Sequence, residues 1–253
     1  MKLLYRIYQL VIALPLIILA TIATSLMVAI GCTFFDGHYW GYYPGRWWAR
    51  FILRVLLIPV RVEGREHLER DQSYVFVANH QGAFDIFLVY GYLGRNFKWM
   101  MKQQLRKMPF VGYACEKSHQ IFVDKRGPKK IKETYDRARA TLQGGTSLTV
   151  FPEGCRTFTG HMCHFLRGSF ALADELQLPV VPLTINGSFN IMPRMRDGHF
   201  VEWHPLTLTI HEPIYPVGQG HENITAVMNQ SYDAVMSSLV PEYQGFVENP
   251  DQN

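Results

Sequence analysis

The chain has 253 residues, 48% of them apolar and only 18% charged, with 25 Lys and Arg against 21 Asp and Glu. That apolar content excludes a disordered chain, the length suits one globular domain with an addition or two small domains, and a net charge of +4 makes no case for nucleic acid. Four cysteines, Cys32, Cys115, Cys155 and Cys163, are too few and too scattered for a disulfide framework and read as free thiols.

The charge deficit is concentrated at the start. Residues 7–35 contain no Asp, Glu, Lys or Arg. As a helix, Leu10 to Phe35 would measure about 39 Å, more than the ~30 Å hydrocarbon core of a bilayer requires. A cleaved signal peptide has an apolar core of only ~7–15 residues, so this run reads as a retained membrane anchor, bent at Pro15. The block HYWGYYPGRWW follows, with six Tyr and Trp residues of the kind that settle at the headgroup level. Arg46, Arg50 and Arg54 then recur every four residues among Phe51, Ile52, Leu53, Val55, Leu56 and Leu57. That pattern suits an interfacial helix lying in the membrane surface and ending near Pro59; the alternative is the second, buried helix of a hairpin. Lys2 and Arg6 before the run, against Arg46, Arg50, Arg54 and Arg61 after it, favour the C-terminal bulk on the cytoplasmic face of a cell membrane.

From Val60 the character changes. The expected strands are Ser73–Asn79, Gln120–Asp124, Ser147–Phe151, Val180–Ile185 and Leu206–Ile210, with helices at Lys129–Leu142 and Phe165–Leu176 between them. Alternating strands and helices predict an α/β fold: a largely parallel central sheet flanked by helices, its strands apolar on both faces. The division is a membrane-embedded helical segment at 1–60 and an α/β domain at 61–253, with a loosely ordered tail after Val240.

Two loops at the ends of expected strands carry candidate chemistry. NHQGAFD, Asn79 to Asp85, follows the first strand. Five residues apart on one helix, two side chains point about 140° apart, so His80 and Asp85 meet only if His80 lies in the turn and Asp85 in the first helical turn after it. Asp85 then fixes the tautomer and leaves the other ring nitrogen as a base. His119 and Asp124 share that spacing but bracket a strand, which holds them ~17 Å apart. FPEGCRTFTG, Phe151 to Gly160, follows another strand. Its Pro152 and Gly154 predict a tight turn presenting Glu153 and Arg156, the guanidinium suited to a phosphate. Lys102, Lys125, Arg126, Lys129 and Lys130 form either a solvated basic face or an anion site facing His80.

Cys155, His161, Cys163 and His164 fall within ten residues, but their spacing matches no usual paired-ligand pattern, and no metal site is assigned. The chain has no G-x-S-x-G elbow, Walker loop or dinucleotide fingerprint, so direct transfer by a general base fits better than a covalent acyl-enzyme. Backbone N–H groups of the 79–83 turn are the expected oxyanion donors.

Taken together these blocks resemble the glycerolipid acyltransferase family, most closely its 1-acyl-sn-glycerol-3-phosphate (lysophosphatidic acid) acyltransferases. NHQGAFD resembles the N-H-x-S-x-x-D block, QIFVDKR the G-x-x-F-I-D-R block, FPEGCR the F-P-E-G-T-R block, and VVPLTI the late proline-containing block. The ordered match runs over roughly residues 60–215. It implies His80 as general base with Asp85 orienting it, Glu153, Gly154 and Arg156 shaping the acceptor site, and Lys102, Lys125 and Arg126 holding a phosphate. The implied co-substrates are a lysophospholipid and acyl-CoA or acyl carrier protein, at a membrane and with no bound cofactor. Gly82 stands where Ser is usual, Cys155 where Thr is, His119 where Gly is common, and Lys125 at the usual Arg position. The last departure leaves open another lysolipid acceptor, such as a lyso-aminolipid. A non-catalytic, membrane-anchored binder of anionic lipid is the rival of a different class.

Overall fold

The computed structural model describes residues 2–123, 127–142, 144–196 and 199–247. Helix α1 runs from Lys2 to Phe34 and is long and apolar enough to cross a membrane. At 1.5 Å per residue it measures about 50 Å. It widens into a π-helical turn at Gln9–Ala13, where the Leu14 N–H bonds the Gln9 carbonyl. Pro15, which has no N–H to offer the helix, follows at once, and the wider turn accommodates it.

Both ends of α1 are tied to the rest of the chain. Near its start, the buried Gln9 amide bonds both backbone groups of Val201, at 2.8 and 2.9 Å. The Tyr5 and Tyr8 hydroxyls donate to the Leu56 and Val55 carbonyls at 2.7 and 2.6 Å, and Lys2 and Arg6 face Glu202. Midway, Trp48 Nε1 donates to Thr21 Oγ1 at 3.0 Å. Near its end, Trp40 lies so close to Gly31 that a Cβ there would stand 2.4 Å from the indole. The outward face stays apolar and bare: Leu3, Leu4, Val11, Leu19, Ile30 and Phe34 are exposed.

Helix α2 (Tyr43–Val55) packs against α1 on one side and α3 (Phe84–Tyr92) on another. Ala49, Ile52 and Leu53 are fully buried there, while Trp47, Phe51 and Arg54 face outward. The expected interfacial stripe of arginines is therefore divided. Arg50 turns inward, its Nε donating to the Gly91 carbonyl at 2.7 Å with its guanidinium over Tyr92. The segment is a helical hairpin with one exposed face, because the apolar residues between the arginines find partners in α3.

The strands and the other α-helices longer than four residues are β1 (Val60–Glu63), β2 (Val75–Ala78), β3 (Phe97–Lys102), α4 (Val111–Lys117), β4 (Ile121–Val123), α5 (Pro128–Thr141), β5 (Ser147–Val150), α6 (Gly168–Leu176), β6 (Val180–Asn186), β7 (Leu206–Ile210) and α7 (His221–Ser237). The strands form one sheet in the order β1-β7-β6-β2-β5-β3-β4. Pairing is parallel throughout except between β6 and β7. Side chains alternate between two cores: Phe76, Ala78, Leu88 and Leu183 on the α2–α3 side, and Val75, Val77, Phe170 and Val227 on the α6–α7 side. Every residue of β2 is buried, as a central strand covered on both faces requires.

Each expected strand exists: Leu206–Ile210 as expected, Val180–Ile185 one residue longer, Ser147–Phe151 one shorter and Ser73–Asn79 three shorter, while Gln120–Asp124 starts at Ile121 and its Asp124 lies outside the described residues. The chain also contains β1, β3, α4 and α7, which the pattern reading did not place. The start of the tail is better ordered than expected. Tyr243 is buried and donates its hydroxyl to Asn190 Oδ1 at 2.8 Å.

Candidate active site

β2 and β5 are adjacent and parallel, with Val77 level with Val150, so the loops carrying His80 and Glu153 leave the sheet side by side. This is the carboxyl-end mouth where open α/β sheets place their ligands. Asn79 anchors the first loop to β6. Its amide donates to the Ile185 carbonyl at 2.9 Å and accepts the Ile185 N–H at 2.8 Å.

His80 lies in the turn and Asp85 in the first turn of α3, the arrangement their spacing demands. His80 Nδ1 sits 2.7 Å from Asp85 Oδ2, and the same oxygen accepts the Gly82 N–H at 2.9 Å. Asp85 is wholly buried, while the His80 side chain is 15% exposed. An ionised Asp85 accepts from Nδ1–H, which leaves Nε2 as the lone-pair nitrogen. Among the described residues Nε2 makes no hydrogen bond.

Two further contacts hold the imidazole. Phe151 stacks on it, ring centroids 3.8 Å apart and planes 8° from parallel, and Trp99 stacks behind Phe151 at 5.5 Å. The His80 carbonyl accepts the Thr157 N–H at 2.9 Å.

Glu153 points inward. It is 3% exposed, and its two oxygens accept the His80 N–H at 2.6 Å and the Cys163 N–H at 2.7 Å. Burial pushes its carboxyl up to about 8, opposed by those backbone donors and assisted by the nearby Asp85 charge. Glu153 thus buckles the second loop to the first. Gly154 adopts a left-handed φ of +76°, and a Cβ there would stand 2.9 Å from Leu166. Arg156 is half-buried in the same loop, and Lys102 is exposed at the end of β3, next but one to β2. Lys125 and Arg126 lie outside the described residues.

The expected oxyanion donors are reduced in number. Three N–H groups of the 79–83 turn are already donating: His80 to Glu153, Gly82 to Asp85, and Ala83 to the Met192 carbonyl at 3.4 Å. Those three amides hold the turn in place against Glu153, Asp85 and the 188–193 segment.

The residues around Met192 also account for Gly82. Gly82 forms an isolated bridge with Pro193, and a Cβ at 82 would fall 2.5 Å from Ser188 Oγ and 2.7 Å from the Ser188 carbonyl. In this chain the 188–193 segment occupies the space a side chain would need. Arg194 follows, its guanidinium 4.2 Å over the Phe158 ring of the second loop. Pattern reading missed Phe151's role, Asn79's anchor and Arg194. Only Phe151 carried a signal, as the aromatic residue that closes the expected strand just before the Pro152 turn.

No group of three or more His, Cys, Asp or Glu side chains suited to a metal occurs among the described residues. His161 meets Tyr243 edge-on and His164 stacks on Phe246.

A family profile described as Acyltransferase matches residues 59–186. A similar relative is the 1-acyl-sn-glycerol-3-phosphate acyltransferase alpha of Mus musculus, 34% identical over 198 residues, 75% of this chain and 68% of that one. Another is the chloroplastic 1-acyl-sn-glycerol-3-phosphate acyltransferase of Arabidopsis thaliana, 31% identical over 157 residues, 62% of this chain. The chain spans only 44% of the length of that Arabidopsis protein and of its Brassica napus counterpart. Among solved structures, the 1-acyl-sn-glycerophosphate acyltransferase PlsC from Thermotoga maritima superposes with a TM-score of 0.73 at 25% identity, over 92% of this chain and 97% of that one.

Proposed function

The chain belongs to the acyltransferase family, and from that premise we propose that it moves a fatty acyl group from a thioester to the sn-2 hydroxyl of 1-acyl-sn-glycerol 3-phosphate, giving phosphatidic acid. The observation that carries the reading is the 2.7 Å contact between His80 Nδ1 and the buried Asp85 carboxylate, at the mouth of a parallel sheet. His80 Nε2 takes the hydroxyl proton as the oxygen attacks the thioester carbonyl. The tetrahedral intermediate collapses, the C–S bond breaks, and the imidazolium returns the proton to the departing thiolate. Asp85 stabilises the imidazolium while it lasts, and Phe151 keeps its plane. Acyl-CoA or acyl carrier protein serves as donor, and the reaction needs no bound metal or cofactor. Lys102, with Lys125 and Arg126, receives the acceptor phosphate, and Arg156 borders the same mouth.

The N-terminal helix, long and apolar enough to cross a membrane, supports a reaction at a membrane. Because Gln9 bonds Val201 and the 14–34 part of α1 packs against α4, we read α1 as embedded in one leaflet of the cell membrane along its bare face, with the catalytic domain on the cytoplasmic side.

Purified full-length protein assayed with a panel of lysolipids and with acyl-CoA and acyl carrier protein donors tests the reading. Preferred acylation of lysophosphatidic acid supports it. Preference for a lyso-aminolipid corrects the acceptor, and tight lipid binding without turnover of any thioester replaces the enzyme by a lipid binder.

A further inference from the structure

Between Lys102 and Lys117 the chain leaves the sheet and returns through a compact excursion, a 3₁₀ turn at Gln103–Lys107 and then α4. Its outward side chains are the wrong kind for water. Leu105, Met108, Phe110 and Tyr113 are 40%, 47%, 57% and 56% exposed within nine residues. Scattered exposed apolar residues mean little, but a contiguous group with a charged rim marks an interaction surface. The rim here is basic: Lys102, Arg106, Lys107 and Lys117 against one acid, Glu116.

The excursion is built to hold that shape. Gly112 lies under the Arg106 carbonyl, where a Cβ would come within 2.3 Å, and Arg106 pairs with Glu116. The Gly112 N–H donates to the Met108 carbonyl at 2.9 Å. Phe110 is the centre of a γ-turn, with φ +59° and ψ −53°, and the Val111 N–H reaches the Pro109 carbonyl at 2.6 Å. A non-glycine residue held at positive φ is a costly way to project a side chain. Here the ring it projects is exposed and stacks on no other ring among the described residues.

α4 also packs against the 14–34 part of α1, in which Met27, Ile30 and Phe34 are exposed. We propose that the 103–117 excursion is a second membrane-docking element: Met108, Phe110 and Tyr113 enter the headgroup boundary beside α1 while Lys107 and Lys117 contact anionic lipid. Charge complementarity and continuity with the bare face of α1 favour a bilayer as the occupant. The element begins at Lys102, and Trp99 of the same strand backs the Phe151–His80 stack, so docking would seat the catalytic mouth at the headgroup level. This inference rests on the reading of α1 as membrane-embedded.

The test uses the full chain in nanodiscs of phosphatidylethanolamine and phosphatidylglycerol, with an environment-sensitive fluorophore on Phe110→Cys. The unsubstituted chain, labelled identically, corrects for the native cysteines, and Glu212→Cys serves as a solvated reference. Lipids spin-labelled near the carbonyl should quench the 110 probe, and aqueous iodide should not. Removing the charges with Lys107→Gln and Lys117→Gln, or replacing phosphatidylglycerol with phosphatidylcholine, should reduce the lipid quenching several-fold. A 110 probe as open to iodide as the 212 probe would overturn the proposal. So would shielding that appears only on adding an acidic protein donor. Quenching needs no catalysis, so a failed lysophosphatidic acid assay leaves this result readable. In the enzyme, Met108→Ser with Phe110→Ser should raise KM several-fold for acceptor presented in a bilayer and leave turnover of a short-chain, monomeric acceptor unchanged. Equal loss on both acceptors would also contradict the proposal.

Discussion

Phe151 lies flat against His80, centroids 3.8 Å apart, so the residue just after one strand fixes the ring in the loop that follows the neighbouring strand. The two positions meet because β2 and β5 run parallel in register. The hydrogen bond to Asp85 fixes one point of the imidazole, and the stack fixes its plane. Removing the stack with Phe151→Ala should therefore lower kcat by about 10–100-fold, in line with the cost of misplacing a catalytic group by an ångström. KM for both substrates should move little. Steady-state kinetics check this, and an unchanged kcat would show that Asp85 alone orients the ring.

Glu153 gives a prediction about stability. Its carboxyl is raised to about 8 by burial, so between the ordinary carboxylate range and pH 8 the folded chain keeps a proton that the unfolded chain has released. Stability from this group is full below the ordinary carboxylate pKa and is lost as pH rises through about 8. Glu153→Gln should abolish that slope. The amide also turns an NH₂ toward the N–H of either His80 or Cys163, an unsatisfied arrangement costing about 1–3 kcal/mol. Thermal melts of both proteins across this pH range test both effects.

Gly82 predicts that restoring the residue more usual in the family does harm. In Gly82→Ser the new Cβ would meet the Ser188 and Met192 carbonyls at 2.7 and 3.0 Å, and backbone cannot yield as a side chain can. A loss of about 1–3 kcal/mol is expected, with reduced activity as the 188–193 segment shifts from the His80 turn. Wild-type melting temperature and rate in this variant would show that the segment gives way freely.

Much of this arrangement was legible in the sequence, and the reasons differ by element. β2, β5 and β6 announce themselves as short apolar runs because both faces are covered. The meeting of His80 and Asp85 followed from the pitch of a helix and the need for a turn. β3 (FKWMMK) escaped notice because a buried Lys98 interrupts it, and β1 (VRVE) because it alternates on an edge. α7 did carry a signal, since Ile224, Val227, Ser231 and Val235 recur at helical spacing and are buried, but the polar residues between them obscured it. The inward turn of Glu153, the role of Phe151 and the crowding at Gly82 depend on strand order and on a segment a hundred residues away. Local pattern holds neither.

The attachment of α1 to the domain yields a separate test. Gln9→Leu would leave both backbone groups of Val201 without partners, at about 1–3 kcal/mol for each buried group. Amide exchange around Val201 should quicken, and the start of α1 should become accessible to protease in nanodiscs. Exchange unchanged from wild type would mean that α1 is held by its bilayer contacts alone.

The central claim is that His80, oriented by Asp85, removes the proton of a lysolipid hydroxyl during acyl transfer. Its most direct test is kcat for lysophosphatidic acid and acyl-CoA in folded, membrane-bound His80→Ala and Asp85→Asn proteins. Both should lose about 10²–10⁴-fold in kcat with KM nearly constant, because what is removed acts only in the transition state. Turnover at the wild-type rate in either variant would contradict the account.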